Sequence, residues 1–235
     1  MERRDGILQM QIHTNGETVI WGIDPHEELG YCFSDIGADP ENQAVIITGT
    51  GEKFIGEIDY GNAVKITPRL WDHVYWDAKR LLMNLLDIEV PVIAAVNGPA
   101  TIHAELAVLS DIVLASDTAV FQDAPHFPAG LVPGDGVHVV WPLVLGVNRG
   151  RYFLLTGQKL SAQEALQLGV VSEVLPKDQL LPRAWDLARQ LLKQPLLTRR
   201  YARVVLTQQL KKLMLDNLGY GLALEGLGAV EYRPD

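Results

Sequence analysis

The residues best able to move protons lie between Asn97 and Gly136, in NGPATIHAELAVLSDIVLASDTAVFQDAPHFPAGLVPGDG. His103 follows an Asn-Gly-Pro turn, His126 is held between prolines in APHFP, and Asp135 lies in PGDG nine residues further on. An imidazole with an unperturbed pKa of ~6.5 can exchange protons near neutral pH. A loop that returns a carboxylate to that imidazole orients the ring and stabilises its charged form. His126 and Asp135 are therefore a candidate dyad. By residue type alone a plainer role stays open for each. His103 suits a helix start satisfied by backbone, His126 a proline-shaped loop, and Asp135 the N-cap of the apolar segment after it.

Other residues suggest less chemistry. His13, His26, His73 and His138 read as structural, and no pair of histidines has the spacing of a helical metal motif. Cys32 is the single cysteine, which excludes a disulfide framework and a cysteine-rich zinc site, and it reads as a buried thiol. Neither a metal nor a cofactor is expected. Taken singly, Trp21 reads as core and Glu225 as a solvated helix residue.

The chain has 235 residues, 48% hydrophobic and 21% charged, with a formal net charge of −9. That balance suits a globular enzyme and argues against disorder. The basic residues are dispersed, and the modest group Arg199, Arg200, Arg203, Lys211 and Lys212 reads as the solvated face of a helix. Nucleic acid and membranes are poor partners on these grounds. No run approaches the ~20 apolar residues of a membrane span, and Met1 leads directly into charged ERRD. A cytoplasmic, reducing setting is the expectation.

The elements that must position these residues follow from periodicity. Ile7–His13, Ala44–Thr48, Val92–Val96, Ile112–Ala115 and Val170–Val174 read as strands, and Asn15-Gly16 as a turn. Apolar residues at helical spacing predict helices over His26–Asp39, Arg69–Ile88 and Ile102–Leu109. Ser161-x-x-Glu164 is a capping box ahead of a helix ended by Gly169. From Pro176 the chain reads as helices. Strand and helix alternate over the first three quarters, so the expected class is α/β with parallel strands covered by helices.

The segment from Val90 to Pro176 resembles the crotonase (enoyl-CoA hydratase/isomerase) superfamily. The resemblance rests on PVIAAVNG, on LVPGDG and on LTG-x-x-x-SAQEAL-x-LGVV-x-E-V, with VIITGTG and Phe54–Asp59 upstream. It implies a spiral of strand–strand–helix turns over residues 1–194. A helical C-terminal region, 195–235, would serve trimerisation into a homotrimer or dimer of trimers. The departures matter as much. Where the superfamily has three glycines and a glutamate after NG-x-A, this chain reads Thr101-Ile102-His103-Ala104-Glu105, one residue shorter. The usual Ala-Gly after the phenylalanine appears as Gly56-Glu57. Glu105 stands at the position of the first catalytic glutamate, and His126 replaces the second. The backbone oxyanion hole that those glycines permit is compromised.

TVIWG-x-x-x-HEEL-x-YCF, EIDY, NGP-x-T-x-H and FQDAPHFPAGLVPGDG resemble the β-diketone hydrolase branch of that superfamily, the 6-oxocamphor hydrolase type. That resemblance implies cofactor-free, retro-Claisen cleavage of a carbon–carbon bond in a small-molecule diketone. It assigns catalytic roles to His103, His126, Asp135 and Glu225 and substrate binding to Trp21. By residue chemistry, a neutral His126 held by Asp135 suits the base, with Glu225 sharing in positioning or deprotonating the water. Two alternatives compete: an acyl-CoA hydratase, isomerase or thioesterase rebuilt around histidine, and a non-catalytic scaffold with the same fold.

Overall fold

In the computed structural model, which describes residues 1–59 and 65–231, the chain forms an α/β structure around one main sheet. Tyr60 of the EIDY motif and the last four residues of the C-terminal region lie outside the described residues. The sheet takes β1 (Glu2–Arg4) and β2 (Ile7–Ile12) as an antiparallel hairpin. The strand β3 (Ile20–Trp21) leaves it and later pairs with β5 (Glu57–Ile58) in a small sheet of its own. The main sheet continues in parallel through β4 (Ala44–Gly49), β6 (Val92–Val96), β7 (Ile112–Ser116) and β10 (Glu173–Leu175), in the order β1-β2-β4-β6-β7-β10. A second small pair joins β8 (Val120–Phe121) to β9 (Leu160–Ser161).

Side chains alternate across a strand, so the main sheet has two faces. Ile7, Ala44, Ile46, Ile93, Ala95 and Leu114 pack with Leu180, Ala184 and Ala188 of α7 (Lys177–Leu192). Leu8, Met10, Val45, Ile47, Val92 and Ala94 face the larger core. That core includes apolar stripes of α1 (Ile23–Ala38) and α2 (Pro68–Asp87). Helix α2 starts where Thr67 accepts a hydrogen bond from the Leu70 N–H, with Pro68 in the first turn.

Helices α3 (Glu105–Val108), α4 (Val137–Leu145), α5 (Val147–Thr156) and α6 (Ala162–Gln167) connect the later strands. The Ser161–Glu164 capping box is present in full at the start of α6. Two expected elements are shorter than periodicity suggested. Helix α3 starts only at Glu105, because His103 has a φ of 45°, a left-handed conformation that a helix cannot include. Val170 and Val171 are buried but not paired as strand; β10 begins at Glu173.

The last helix, α8 (Leu196–Glu231), runs back over α2 and places Met214, Leu218 and Leu222 in the main core. Two of its basic residues, Arg199 and Arg203, leave the solvated face that their spacing suggested, whereas Lys212 is exposed as expected. Arg203 is buried and donates to the carbonyls of Leu85 and Ile88 at the end of α2, while pairing with Asp111. Arg199 is also buried, donating to Leu192, Gln194 and Gln43. Lys211 pairs with Asp87 and Arg200 with Glu89. Guanidinium groups satisfy the carbonyl end of a helix, so Arg199 and Arg203 anchor α8. Among the described residues no helix is long and apolar enough to cross a membrane.

Candidate functional site

The candidate residues converge in one buried cluster: Trp21 from β3, His103 from the loop after β6, His126 and Asp135 from the stretch between β8 and α4, and Glu225 from α8. Asn97, after β6, locks this region: its carboxamide donates to the carbonyls of Gly51 and Lys53 and accepts from the Gly49 N–H. Gly98 permits the approach, since a Cβ there would lie 1.8 Å from the Glu52 carbonyl oxygen. Further along, the Thr101 and Ile102 N–H groups both donate to the carbonyl of Ile55, at 2.9 and 3.2 Å. Backbone donors at this point are therefore already engaged with the protein, which agrees with the altered glycine pattern.

His103 holds its strained conformation in the next turn. Its Nδ1 lies 2.6 Å from Glu105 Oε1, and both side chains are buried. Its ring packs against Trp21 at 4.3 Å and His26 at 4.7 Å between centroids. A residue held outside its preferred backbone region needs such over-determined surroundings. Glu105, despite the shortened loop, thus reaches the cluster as the partner of His103. Trp21 is fully buried, and its Nε1 has no hydrogen-bond acceptor among the described residues.

His126 occupies the second half of the cluster. Its carbonyl accepts hydrogen bonds from the N–H groups of Ala129 and Leu131, which folds APHFP tightly and turns the imidazole inward while Phe127 stays exposed. Its Nδ1 lies 2.5 Å from Asp123 Oδ1. On the other edge, Nε2 lies 3.3 Å from Asp135 Oδ1 and 3.5 Å from Glu225 Oε1. Asp135 also stands 3.6 Å from His103 Nδ1 and so bridges the two imidazoles. The expected His126–Asp135 contact is present, but the ring's shortest carboxylate contact is to Asp123. Asp135 is not a helix cap: Gly136 is the N-cap of α4 and no side chain caps it.

Glu225 arrives from α8, far away in sequence. Trp71 Nε1 donates to the Leu222 carbonyl at 2.9 Å and fixes the height of the helix. Gly134 lets α8 pass closely, because a Cβ there would fall 2.3 Å from the Gly221 carbonyl oxygen and 2.7 Å from Glu225 Cβ. Trp21, His103, His126, Asp135 and Glu225 are all brought together. Sequence reasoning missed two neighbours. His26 was read as structural, yet its ring packs edge-on against both Trp21 and His103 while Nδ1 meets the Gly22 carbonyl at 3.1 Å. Its spacing with Leu29, Phe33 and Ile36 on the inner stripe of α1 was the available signal. Asp123, three residues before His126 in FQDAPH, was the other.

The electrostatics follow from burying more carboxylates than imidazoles together. Desolvation lowers the pKa of His26 to about 3, with the nearby His103 acting in the same direction, so this ring stays neutral. Burial opposes charge on His126 as well, but Asp135, Asp123 and Glu225 outweigh it and hold its pKa well above the ordinary value. His103 is raised in the same way by Glu105 and Asp135. Asp135 is held low: the attraction of the two imidazoles overcomes the cost of its burial. For Glu225 desolvation dominates, Asp135 adds repulsion, and its pKa rises to about 7. Glu105 is raised chiefly by burial too. The result is a compact set of imidazolium–carboxylate pairs with one carboxyl group poised to gain or lose a proton near neutrality. His103 with Glu105 and Asp135, and His126 with Asp135 and Glu225, have their donor atoms within metal-ligand spacing.

The profile of the enoyl-CoA hydratase/isomerase family matches residues 2–220. Carnitinyl-CoA dehydratase from Citrobacter koseri is 32% identical over 183 residues, covering 70% of this chain and 63% of that protein. The chain thus spans less than two thirds of the length of the curated relatives it matches. A β-diketone hydrolase from the cyanobacterium Anabaena, solved bound to (S)-3-oxocyclohexyl acetic acid, is 52% identical with a TM-score of 0.95, covering 98% of this chain and 93% of the other. An enoyl-CoA hydratase/isomerase from Mycobacterium paratuberculosis is 28% identical with a TM-score of 0.90, covering 97% and 92%.

Proposed function

We propose that this chain, which belongs to the enoyl-CoA hydratase/isomerase family, is a cofactor-independent hydrolase that cleaves a carbon–carbon bond of a β-diketone to give a keto acid. The observation that carries this reading is the buried convergence of His103, His126, Asp135 and Glu225, with the Glu225 pKa pushed up to about 7. The similar Anabaena enzyme, whose bound molecule is itself a keto acid, supports it.

Retro-Claisen hydrolysis needs a nucleophilic water, a site for the tetrahedral oxyanion, and a proton for the departing carbon. Trp21 Nε1, which has no acceptor within the described residues, and the His103 imidazolium suit the attacked carbonyl oxygen. Glu225 accepts a proton from water as its oxygen bonds to the carbonyl carbon. The carbon–carbon bond then breaks with its electron pair going to the former central carbon, as an enolate whose charge the second carbonyl takes up. His126, an imidazolium flanked by Asp123, Asp135 and Glu225, protonates that enolate and recovers its proton from Glu225. The sum is diketone plus water to keto acid. Residue types alone favoured His126 as base; the carboxylates around it favour the acid role, and they leave Glu225 as the base. Asp135 serves both imidazoles as counter-ion.

The chain suits assembly as a homotrimer or dimer of trimers in a cytoplasmic setting. Exposed apolar residues on α8, such as Leu206 (78%) and Leu227 (74%), are consistent with an interface. The test of activity is incubation with 2,2-disubstituted cyclic 1,3-diketones, following loss of the diketone and formation of keto acid. Turnover with no added metal or coenzyme is expected. Turnover of acyl-CoA esters with none of any diketone would replace this reading by the rebuilt acyl-CoA enzyme.

A further inference from the structure

Away from the cluster, the outer side of the α1–α2 pair carries a second set of donors. Asp77 on α2 is only 1% exposed. Arg80 Nη1 donates to its Oδ1 at 2.7 Å, but its buried Oδ2 accepts no hydrogen bond among the described residues. One helical turn earlier, His73 places Nε2 3.2 Å from that oxygen without the geometry of a hydrogen bond. Glu27, on α1, brings its carboxylate to the same side of the pair, and all three donor atoms lie within 4.8 Å of one another.

The separation of His73 and Asp77 suits a shared ion. Two ligands each ~2.0–2.1 Å from a tetrahedral metal stand about 3.3 Å apart, close to the His73–Asp77 separation of 3.2 Å. One imidazole nitrogen and two carboxylates suit a borderline transition ion, whereas Mg2+ and Ca2+ prefer oxygen alone. Arg80 on the far oxygen of Asp77 is the kind of outer contact that orients a ligating carboxylate. The two helices are already close here, with Asn84 Nδ2 donating to the Gly30 carbonyl at 2.8 Å.

We propose that Glu27, His73 and Asp77 form a divalent transition-metal site, of the Zn2+ class, that fastens α1 to α2. Glu27 follows His26 directly, so the ion pins the helix that seats His26 against Trp21 and His103. This site is separate from the hydrolytic cluster and does not depend on the activity proposed for it.

The test is calorimetric titration of the full chain with Zn2+ alone, and with Mg2+ as comparison, in wild type, Glu27→Gln, His73→Gln and His103→Gln. One equivalent of Zn2+ is expected to bind and raise the melting temperature. Affinity should fall at least tenfold in Glu27→Gln and in His73→Gln, stay within about twofold in His103→Gln, and be at least tenfold weaker for Mg2+. Both altered surface residues leave the core untouched, and unchanged circular dichroism verifies that the variants fold. Absence of saturable binding overturns the site. So do equal binding by wild type and both surface variants, equal affinity for Mg2+, or loss confined to His103→Gln, which would put the ion in the catalytic cluster.

Discussion

The two histidine centres share one carboxylate yet are built differently. His103 draws its closest partner, Glu105, from its own turn and is walled by the rings of Trp21 and His26. Among the described residues His126 has no aromatic wall of that kind; carboxylates from three segments, Asp123, Asp135 and Glu225, surround it. Both are buried, and desolvation acts on both against charge. More carboxylate contacts surround His126, and its pKa is held further up. The first centre therefore suits binding and polarising a carbonyl, and the second suits moving protons. Asp135 couples them by facing both rings.

The largest effects should come from the second centre. Glu225→Gln and His126→Ala are each expected to lower kcat by roughly 10²–10⁴-fold while leaving the melting temperature near that of wild type. Steady-state kinetics on a diketone substrate check this, and a loss under tenfold in both would remove the proton-transfer role. Combining Asp135→Asn with His126→Ala should cost little more than the worse single change, since the residues act as a unit; multiplicative losses would show them to be independent.

The pH profile sharpens the same contrast. Glu225 must be ionised to act as base, so kcat/KM should rise with pH through about 7, the value burial gives that carboxyl group. It should fall again in the alkaline range as the raised His126 loses its proton. A profile flat from pH 5 to 9 would deny Glu225 the base role.

At the first centre the effects should be smaller and appear in binding. Trp21→Phe keeps an aromatic ring but removes the N–H, and about tenfold weaker binding of a non-reactive keto acid is expected, read by calorimetry. Glu225→Gln should bind the same compound nearly as well as wild type. Unchanged affinity in Trp21→Phe would place the oxyanion site elsewhere.

The smallest effect concerns stability. His26 is neutral when folded, with a pKa of about 3 against 6.5 when unfolded. The unfolded chain takes up the proton first, so the stability this group supplies is present above about pH 6.5 and declines as pH falls toward 3. Relative to His26→Gln, wild type should lose roughly 2–3 kcal/mol between pH 6.5 and 4.5. Denaturant titrations at the two pH values measure it, and parallel behaviour of the two proteins would return His26 to an ordinary core residue.

Much of this arrangement was legible in order along the chain. The alternation of Ile7–Ile12, Ala44–Gly49 and Val92–Val96 with amphipathic helices dictates a covered parallel sheet, because apolar periodicity leaves few other ways to bury those faces. His103, His126 and Asp135 were visible because chemically active side chains sat among turn-forming residues. The inward stripe of α1 already contained His26. What only the tertiary structure decided was which carboxylate meets which nitrogen. Periodicity extended a helix across His103, whereas its left-handed turn aims the ring at Glu105 and Trp21. Proximity to glycine made Asp135 look like a cap, and the fold turned it toward two imidazoles. Spacing made Arg203 a surface cation, yet it is buried at the end of α2, anchoring the helix that delivers Glu225. Local propensity fixes which residues share an element. The protonation of a buried cluster depends on desolvation and on charges brought from distant segments, and those exist only once the chain has folded.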